Sequence, residues 1–133
     1  MPALREGSPT SRVVELTRDL PSMDFQILFD YNSSSISPDS IPALVELGKA
    51  LTDSRLATSR FIVGGHTDGA GTGEYNKRLC QQRAESVRSF LVSALQMPAD
   101  RLLALGFGMD KLKDSANPRS GANRRVEVIN VGR

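Results

Sequence analysis

The pattern of hydrophobic and polar positions divides the chain into alternating strands and helices. Four short segments are rich in β-branched, aromatic or other apolar residues and are bounded by turn-forming residues, which is typical of strands. The predicted strands cover residues 25–29, 60–66, 102–107 and 124–129. Between them, apolar residues recur every three to four positions, and this spacing predicts two helices.

The first predicted helix begins at Ser37 or Ser40 and ends near residue 53. Either serine can cap its first turn, and prolines close to both suit the start of a helix. The second and longer helix covers residues 74–96 and ends there because Pro98 disfavours helical structure in the residue before it. Its predicted apolar stripe comprises Leu79, Val87, Phe90, Leu91, Ala94 and Leu95.

The order strand, helix, strand, helix, strand, strand predicts a two-layer α/β sandwich with at least one crossover between parallel strands. A length of 133 residues suggests a single domain. The first twelve residues are rich in Pro, Ser, Gly and charge, and the next eight are too short and ambiguous to assign. We therefore expect residues 1–22 to form an N-terminal tail or linker and residues 23–133 to form the domain.

The composition excludes several classes of function. A net charge of +2 is too small to predict electrostatic capture of nucleic acid or of a membrane surface. One cysteine and one histidine cannot supply a disulfide framework or a multi-ligand metal site, so no metal or cofactor is expected. No apolar segment reaches the roughly 18 residues of a membrane-spanning helix, and the first residues lack the apolar core of a signal peptide. The chain is expected to be cytosolic or a piece of a longer exported protein.

One arginine interrupts the apolar stripe of the second helix. Arg83 follows Leu79 by four residues and precedes Val87 by four, so it points toward the same side, as does Asn76. Its side chain can extend along the apolar surface to water, or it can lie partly buried and bind an anion through its planar guanidinium. Asp68, in the loop before the helix, is a candidate partner, although a loop-stabilising or capping role is also open to it.

Two further features point to an enzyme, but only weakly. The glycine-rich run from Gly69 to Gly73 follows a strand as phosphate-binding loops do, yet its spacing matches neither common nucleotide motif. His66 lies near Asp68, but no nucleophile motif accompanies it, and Cys80 is expected to be a small buried side chain. A nucleotide- or phosphate-binding α/β enzyme therefore remains an alternative, with no catalytic residue assigned.

Several motifs in a fixed order resemble the signature of OmpA-like domains, the peptidoglycan-binding domains of OmpA, Pal and MotB. The central motif is Gly65-His66-Thr67-Asp68, followed by Gly71, Tyr75-Asn76, Leu79, Arg83-Ala84, Val87 and Leu91. The first loop, Phe29-Asp30-Tyr31-Asn32-Ser33, and the closing motifs Gly106-Phe107-Gly108 and Asn123-Arg124-Arg125-Val126 also resemble the family. The resemblance covers residues 23–130. It implies two helices packed on a mixed sheet.

The resemblance also implies a ligand and a binding site. The ligand in Gram-negative bacteria is the diaminopimelate residue of the peptidoglycan stem peptide, held without covalent bonds. The family's ligand-binding residues correspond to Asp68, Arg83, Asn76, Thr67, Asp30, Tyr31, Asn32, Leu79 and Arg124. Two departures stand out: Cys80 replaces the usual Ser, and Met109-Asp110 follows Gly108 where Glu is common.

The leading hypothesis is therefore a non-enzymatic anchor that ties the outer membrane or an envelope complex to the cell wall. The implied location is the periplasmic face of the envelope, with any membrane attachment made by a region outside this chain. Peptidoglycan is the expected partner and nucleic acid is not. The phosphate-binding enzyme is the alternative, and a protein-interaction module is a third possibility.

Overall fold

The computed structural model describes residues 9–27, 29, 33–69, 73–117 and 123–132. Its helices and strands, in chain order, are α1 (Pro9–Thr17), β1 (Ser22–Phe25), α2 (Ile41–Leu51), β2 (Arg60–His66), α3 (Gly73–Ala94), β3 (Leu102–Gly108) and β4 (Arg125–Gly132). Short 3₁₀ helices precede α2, β2 and β3, at Pro38–Ser40, Ser54–Leu56 and Ala99–Arg101. No helix of the described residues is both long enough and apolar enough to cross a bilayer.

The four strands form one mixed sheet in the order β1-β4-β2-β3. β2 and β3 are parallel, and β4 runs antiparallel to both β1 and β2. Two helices, α2 and α3, alternate with the strands in the predicted order, so the predicted α/β fold is confirmed. Because β2 and β3 are parallel, their carboxyl ends lie side by side at one end of the sheet, where β4 also begins.

The first strand lies earlier in the chain than the predicted segment 25–29. β1 ends at Phe25, which pairs with Val126 one residue after the start of β4. β4 reaches only one residue further, to Arg125, so the strand cannot extend to residue 29 in this register. Ile27 is buried in the core outside the sheet, which explains its apolar character.

One face of the sheet is apolar and lies under α2 and α3. The buried residues of α3 are Asn76, Cys80, Ala84, Val87 and Leu91. The predicted stripe was therefore shifted, since Leu79 is only half-buried and Ala94 is exposed. A Cβ on Gly65 would lie 2.6 Å from the carbonyl oxygen of Cys80, so the backbone of α3 rests directly on β2.

Side chains from α3 also cover the exposed edge of β3. Gln81 donates to the carbonyl of Ala104 at 2.9 Å and accepts from the N–H of Gly106 at 2.7 Å, as an added strand would do. Arg88 donates to the carbonyl of Leu102 at 2.8 Å. These bonds protect an edge that could otherwise pair with another chain, and they fix α3 relative to the sheet.

The segment expected to be a tail or linker, residues 1–22, contains helix α1 and the start of β1. Val13 and Val14 of α1 pack against an apolar cluster on the other face of the sheet, formed by Ile62, Phe107 and Ile129. Among the described side chains of this short helix, two make that contact, so its local composition gives a weak signal. Tertiary packing stabilises a helix that local sequence alone does not indicate.

Candidate functional site

Three sequence-predicted site residues, Thr67, Asp68 and Arg124, lie at the end of the sheet where β2 and β3 end and β4 begins. A bulge pairs His66 with Gly108, and the N–H of Thr67 donates to the carbonyl of Gly108 at 2.8 Å. From the same end of the sheet the chain continues through Asp68 toward α3. We call this end of the sheet, together with the first half of α3 up to Arg83, Phe29 and residues 33–36, the rim.

Asp68 and Arg124 form an ion pair at the rim. A guanidinium nitrogen of Arg124 lies 2.5 Å from a carboxylate oxygen of Asp68. The two side chains differ in burial, since that of Asp68 is 16% exposed and that of Arg124 is 58% exposed. The structure therefore brings together two predicted site residues that are 56 positions apart, and the arginine keeps access to solvent.

Arg83 is partly buried at the rim. Its Nε donates to the backbone carbonyl of Ser33 at 2.8 Å, and its guanidinium carbon lies 4.8 Å from the centre of the Phe29 ring. Burial lowers the pKa of this guanidinium from its ordinary value, although Cys80 and Tyr75 oppose the shift. An arginine remains charged even so. Arg83 is thus a partly desolvated cation facing the first loop, as the anion-binding interpretation requires.

Arg83 of α3 contacts the described residues at both ends of the first loop. Phe29 and Ile36 form an isolated antiparallel bridge, which brings the two ends of the loop together. Arg83 contacts Phe29 and Ser33, one on each side of the expected ligand contacts. Those contacts, Asp30, Tyr31 and Asn32, lie outside the described residues.

The other predicted site residues line the rim to different degrees. Asn76, in the first turn of α3, is buried, and Thr67 is also buried. Leu79 is half-buried on the flank of the helix rather than in the centre of its apolar face. Only part of the glycine-rich run is described, since residues 70–72 lie outside the described ranges.

Sequence reasoning missed a second ion pair near the rim. Lys77 Nζ lies 2.9 Å from a carboxylate oxygen of Asp110, and this pair joins the first turns of α3 to the turn after β3. Gly108 has a φ of +60°, and a Cβ there would lie 2.9 Å from the side chain of Lys77. Asp110 directly follows Met109, where the sequence departs from the family pattern. This departure was the available sequence signal for the ion pair.

His66 belongs to a buried network, not to the rim. Its Nε2 lies 2.9 Å from Glu127 Oε1, and Lys111 Nζ lies 2.8 Å from Glu127 Oε2. The side chains of His66 and Glu127 are 0% and 3% exposed, and the His66 ring stacks on Phe107. Burial lowers the pKa of His66, which makes the imidazole neutral, so Nε2 carries the proton that it donates to Glu127.

Glu127 remains ionised within this network. Burial alone would raise its pKa, but hydrogen bonds from His66 and Lys111 outweigh burial and lower the pKa to about 2. A buried carboxylate with two donors is fully satisfied. The sequence contained a signal for this buried network. Arg125 and Glu127 occupy alternate positions of a largely apolar strand, so both point to the same face.

The two residues considered for covalent or acid–base chemistry are both withdrawn from the surface. Cys80 is buried, as expected, and burial raises the pKa of its thiol to about 11. His66 is engaged by Glu127. Among the described residues, no group of three or more His, Cys, Asp or Glu side chains could hold a metal ion.

Comparison with known proteins identifies the family. A model of the OmpA family matches residues 28–125. The chain belongs to the OmpA family. This OmpA-family domain is 37% identical over 125 residues to outer membrane protein Omp38 of Acinetobacter baumannii, covering 92% of this chain and 34% of Omp38. It is 36% identical over 109 residues to the outer-membrane lipoprotein YfiB of Pseudomonas aeruginosa, covering 80% and 63% of the two chains.

The fold of the OmpA-family domain is also found among solved structures. The peptidoglycan-associated lipoprotein from Burkholderia pseudomallei superposes with a TM-score of 0.63 at 27% identity, covering 98% of this chain and 99% of that one. The resemblance found in the sequence is thus confirmed. Omp38 and YfiB are proteins of the outer membrane, in agreement with the expected location in the cell envelope. The chain spans about a third of the length of Omp38.

Proposed function

We propose that this domain binds peptidoglycan without covalent bonds, through the diaminopimelate residue of the stem peptide, and so anchors an envelope protein to the cell wall. The observation that carries the proposal is the rim, which holds a half-buried guanidinium, Arg83 in the middle of α3, and an ion-paired carboxylate, Asp68 before α3. The Burkholderia relative is a peptidoglycan-associated lipoprotein, which supports the same ligand.

The charges of the rim match those of the free end of diaminopimelate, which carries one carboxylate and one ammonium. The ligand carboxylate would accept hydrogen bonds from Arg83, whose planar fork suits that group. The ligand ammonium would donate to Asp68, which already lies within reach of a cation in Arg124. Arg124 is exposed enough to turn away or to share the ligand carboxylate. Asn76 would satisfy a remaining polar atom of the ligand.

The proposal includes no covalent step. The only histidine of the chain is buried against Glu127, and the only cysteine is buried as a thiol with a raised pKa. The membrane attachment and the envelope complex that such an anchor serves would belong to other parts of the whole protein.

Co-sedimentation with purified cell wall tests the proposed ligand. The domain should sediment with insoluble diaminopimelate-type peptidoglycan and much less with lysine-type wall, because the lysine side chain lacks the second carboxylate. Arg78→Ala is a matched control, since Arg78 is an exposed arginine on the same helix, 3.5 Å from Glu74. It should sediment like the parent.

Equal sedimentation with both wall types would contradict recognition of the charged end. Failure to bind either wall would contradict peptidoglycan binding itself. Release of soluble wall fragments above a buffer control, abolished by His66→Ala, would contradict the non-enzymatic assignment. A rise in melting temperature with a nucleotide but not with wall fragments would favour the phosphate-binding alternative.

A further inference from the structure

Two glycines that lie side by side in the sheet support the half of α3 that carries Arg83. Gly65 of β2 and Gly106 of β3 are register partners on the face that α3 covers. A Cβ on Gly65 would lie 2.6 Å from the carbonyl oxygen of Cys80, and a Cβ on Gly106 would lie 2.4 Å from the backbone nitrogen of Gln81. The helix backbone therefore rests on the strands directly. Because neither position has a side chain to interlock with the helix, the two glycines alone do not fix the rotation of α3 about its axis.

The side chain of Gln81 makes a defined connection at this point. Its amide nitrogen donates to the carbonyl of Ala104 at 2.9 Å, and its oxygen accepts from the N–H of Gly106 at 2.7 Å. Both backbone groups lie on the free edge of β3, the outermost strand of the sheet. Two bonds from one planar carboxamide restrict the direction of the side chain as well as its distance from the strand. Gln81 therefore holds one flank of α3 to the sheet.

Arg83 projects from the opposite flank of the same helical turn. Successive helical residues are about 100° apart, so the directions of Gln81 and Arg83 differ by about 200°. On its own flank, Arg83 donates to the Ser33 carbonyl and lies beside the Phe29 ring. A rotation of α3 that breaks the Gln81 bonds would therefore move the Arg83 guanidinium relative to Asp68, which follows a strand that stays in the sheet.

Two further polar connections hold α3 next to β3, and each is less suited to fix the middle of the helix. The pair of Lys77 with Asp110 is partly exposed, since the lysine side chain is 34% exposed, and exposed ion pairs hold weakly against water. Arg88 donates to the carbonyl of Leu102 at 2.8 Å, but it lies about 10 Å further along the helix than Gln81. The bonds of Gln81 are therefore the ones expected to restrain the turn that carries the binding arginine.

We propose that Gln81 is a positioning residue for the proposed binding site: its two bonds to β3 set the place of Arg83 relative to Asp68. The inference rests on the proposed function. A ligand that carries a carboxylate and an ammonium at a fixed separation needs both protein charges at the matching distance. A ligand with the ammonium alone needs only Asp68. Loss of the Gln81 bonds should therefore weaken the first kind of ligand more than the second.

Calorimetric titration with two tripeptides tests the proposal, one containing diaminopimelate and the other containing lysine at the same position. The measured quantity is the ratio of the two dissociation constants, in which the fraction of folded domain cancels because both probes meet the same population. The parent should prefer the diaminopimelate tripeptide by at least about thirtyfold. Gln81→Met keeps the length and the helix propensity of the side chain but makes neither bond. It should lower the ratio about tenfold, as expected when a hydrogen bond to a charged group is lost.

Arg88→Met is the matched control, because it removes side-chain bonds from α3 to the same strand at a greater distance from Arg83. It should lower the melting temperature and keep the ratio of the parent. Gln81→Glu keeps the acceptor for Gly106 but lacks the donor for Ala104, so its ratio should lie between those of the parent and Gln81→Met. This milder variant decides the outcome if Gln81→Met does not fold.

A parent-like ratio in the folded Gln81 variants would overturn the inference and leave the proposed function intact. An equal fall of the ratio in Arg88→Met would assign the effect to general loosening of α3, which also overturns the positioning role. Equal affinity of the parent for the two tripeptides would contradict recognition of the charged end, and this inference would fail with it.

Discussion

Adjacent charged residues of this domain serve two different regions. Arg124 pairs with Asp68 at the rim, whereas the next residue, Arg125, begins β4 and is buried beside Asp24. Side chains that alternate along a strand point to opposite faces, so neighbours in sequence separate in space. One set of charges is buried and internally satisfied, and the other lies at the surface beside the proposed ligand.

The two sets differ in burial, since the side chain of Arg125 is 4% exposed and that of Arg124 is 58% exposed. Arg125 donates to Asp24 at 3.1 Å, to the Asn123 carbonyl at 3.3 Å and to the Lys111 carbonyl at 3.0 Å. Arg124 pairs with the carboxylate of Asp68 from an exposed position. Buried charges that are fully bonded hold the segment after β3 on the sheet, whereas rim charges can exchange a protein partner for a ligand.

The largest effect on stability is expected from the buried network. Glu127→Ala leaves the His66 N–H and the Lys111 ammonium without their acceptor, and breaking a buried pair in this way costs about 3–5 kcal/mol. A domain has about 5–15 kcal/mol in total, so the variant should melt far below the parent. Chemical denaturation monitored by circular dichroism measures the loss.

Glu85→Ala is the control for Glu127→Ala, because Glu85 is an exposed glutamate on α3. Its free energy of unfolding should differ from that of the parent by less than about 0.5 kcal/mol. A Glu127→Ala variant that is as stable as Glu85→Ala would mean that the buried network contributes nothing to the fold.

The next effect concerns binding and not folding. Arg83→Ala should remove measurable sedimentation with diaminopimelate-type wall, because truncating one partner of a desolvated charge pair costs about 2–5 kcal/mol of affinity. The domain should stay folded, with a smaller loss of stability from the missing Ser33 hydrogen bond, about 1.5–3 kcal/mol. Arg83→Ala and Arg78→Ala are compared by wall pulldown and thermal melting. Unfolding of Arg83→Ala would assign this residue to the core, and parent-like binding would refute the site.

Much of this contrast could be predicted from the sequence, and the reasons are local. β2 was predicted with its correct ends because a run of aromatic and β-branched residues is followed by a glycine-rich loop, and six of its seven residues are buried in the structure. The ends of α3 were close, since a glycine-rich loop precedes it and Pro98 follows it. Asp68 and Arg83 were singled out by a charge at an apolar position and by a recognisable family pattern.

The parts that were missed depend on contacts between distant segments. β1 is set by its register with β4, which no local pattern reports. The partner of Asp68 is Arg124, from the other end of the domain. Helix α1 forms because Val13 and Val14 meet a cluster of three residues from three different strands. Pairings across such distances require the fold itself.

The pH dependence of stability should report the buried network alone. Burial lowers the pKa of His66 below its ordinary value of 6.5, so between these two values the unfolded chain binds more protons than the folded one. The stability contributed by neutral His66 is therefore complete above pH 6.5 and is lost as the pH falls below it, by at most about 1.4 kcal/mol per pH unit. His66 is the only histidine, so no other imidazole contributes.

The measurement is the free energy of unfolding between pH 5 and pH 7.5 for the parent and for His66→Gln, which keeps an N–H donor for Glu127. The variant should show a flatter profile. The pKa of Glu127, about 2 against an ordinary 4.5, makes a separate contribution that is lost only as the pH falls below 4.5 toward 2. A parent profile that is level from pH 7.5 to pH 5 would refute the buried neutral imidazole.

The smallest effect on stability is expected at the rim, and the chain offers its own control in the adjacent arginine. Arg124→Ala removes a side chain that is 58% exposed, and exposed ion pairs contribute about 0–1 kcal/mol. Arg125→Ala removes a buried side chain with three acceptors, and it should cost several times more because those acceptors lose their donor. Denaturation of the two variants side by side measures the ratio of their losses of stability.

Wall binding should follow the opposite order at equal folded concentration, with Arg124→Ala weakened because the rim loses a cation next to Asp68. Equal losses of stability in the two variants would show that the rim charges support the fold as much as the buried ones do, and the distinction between the two regions would then fail.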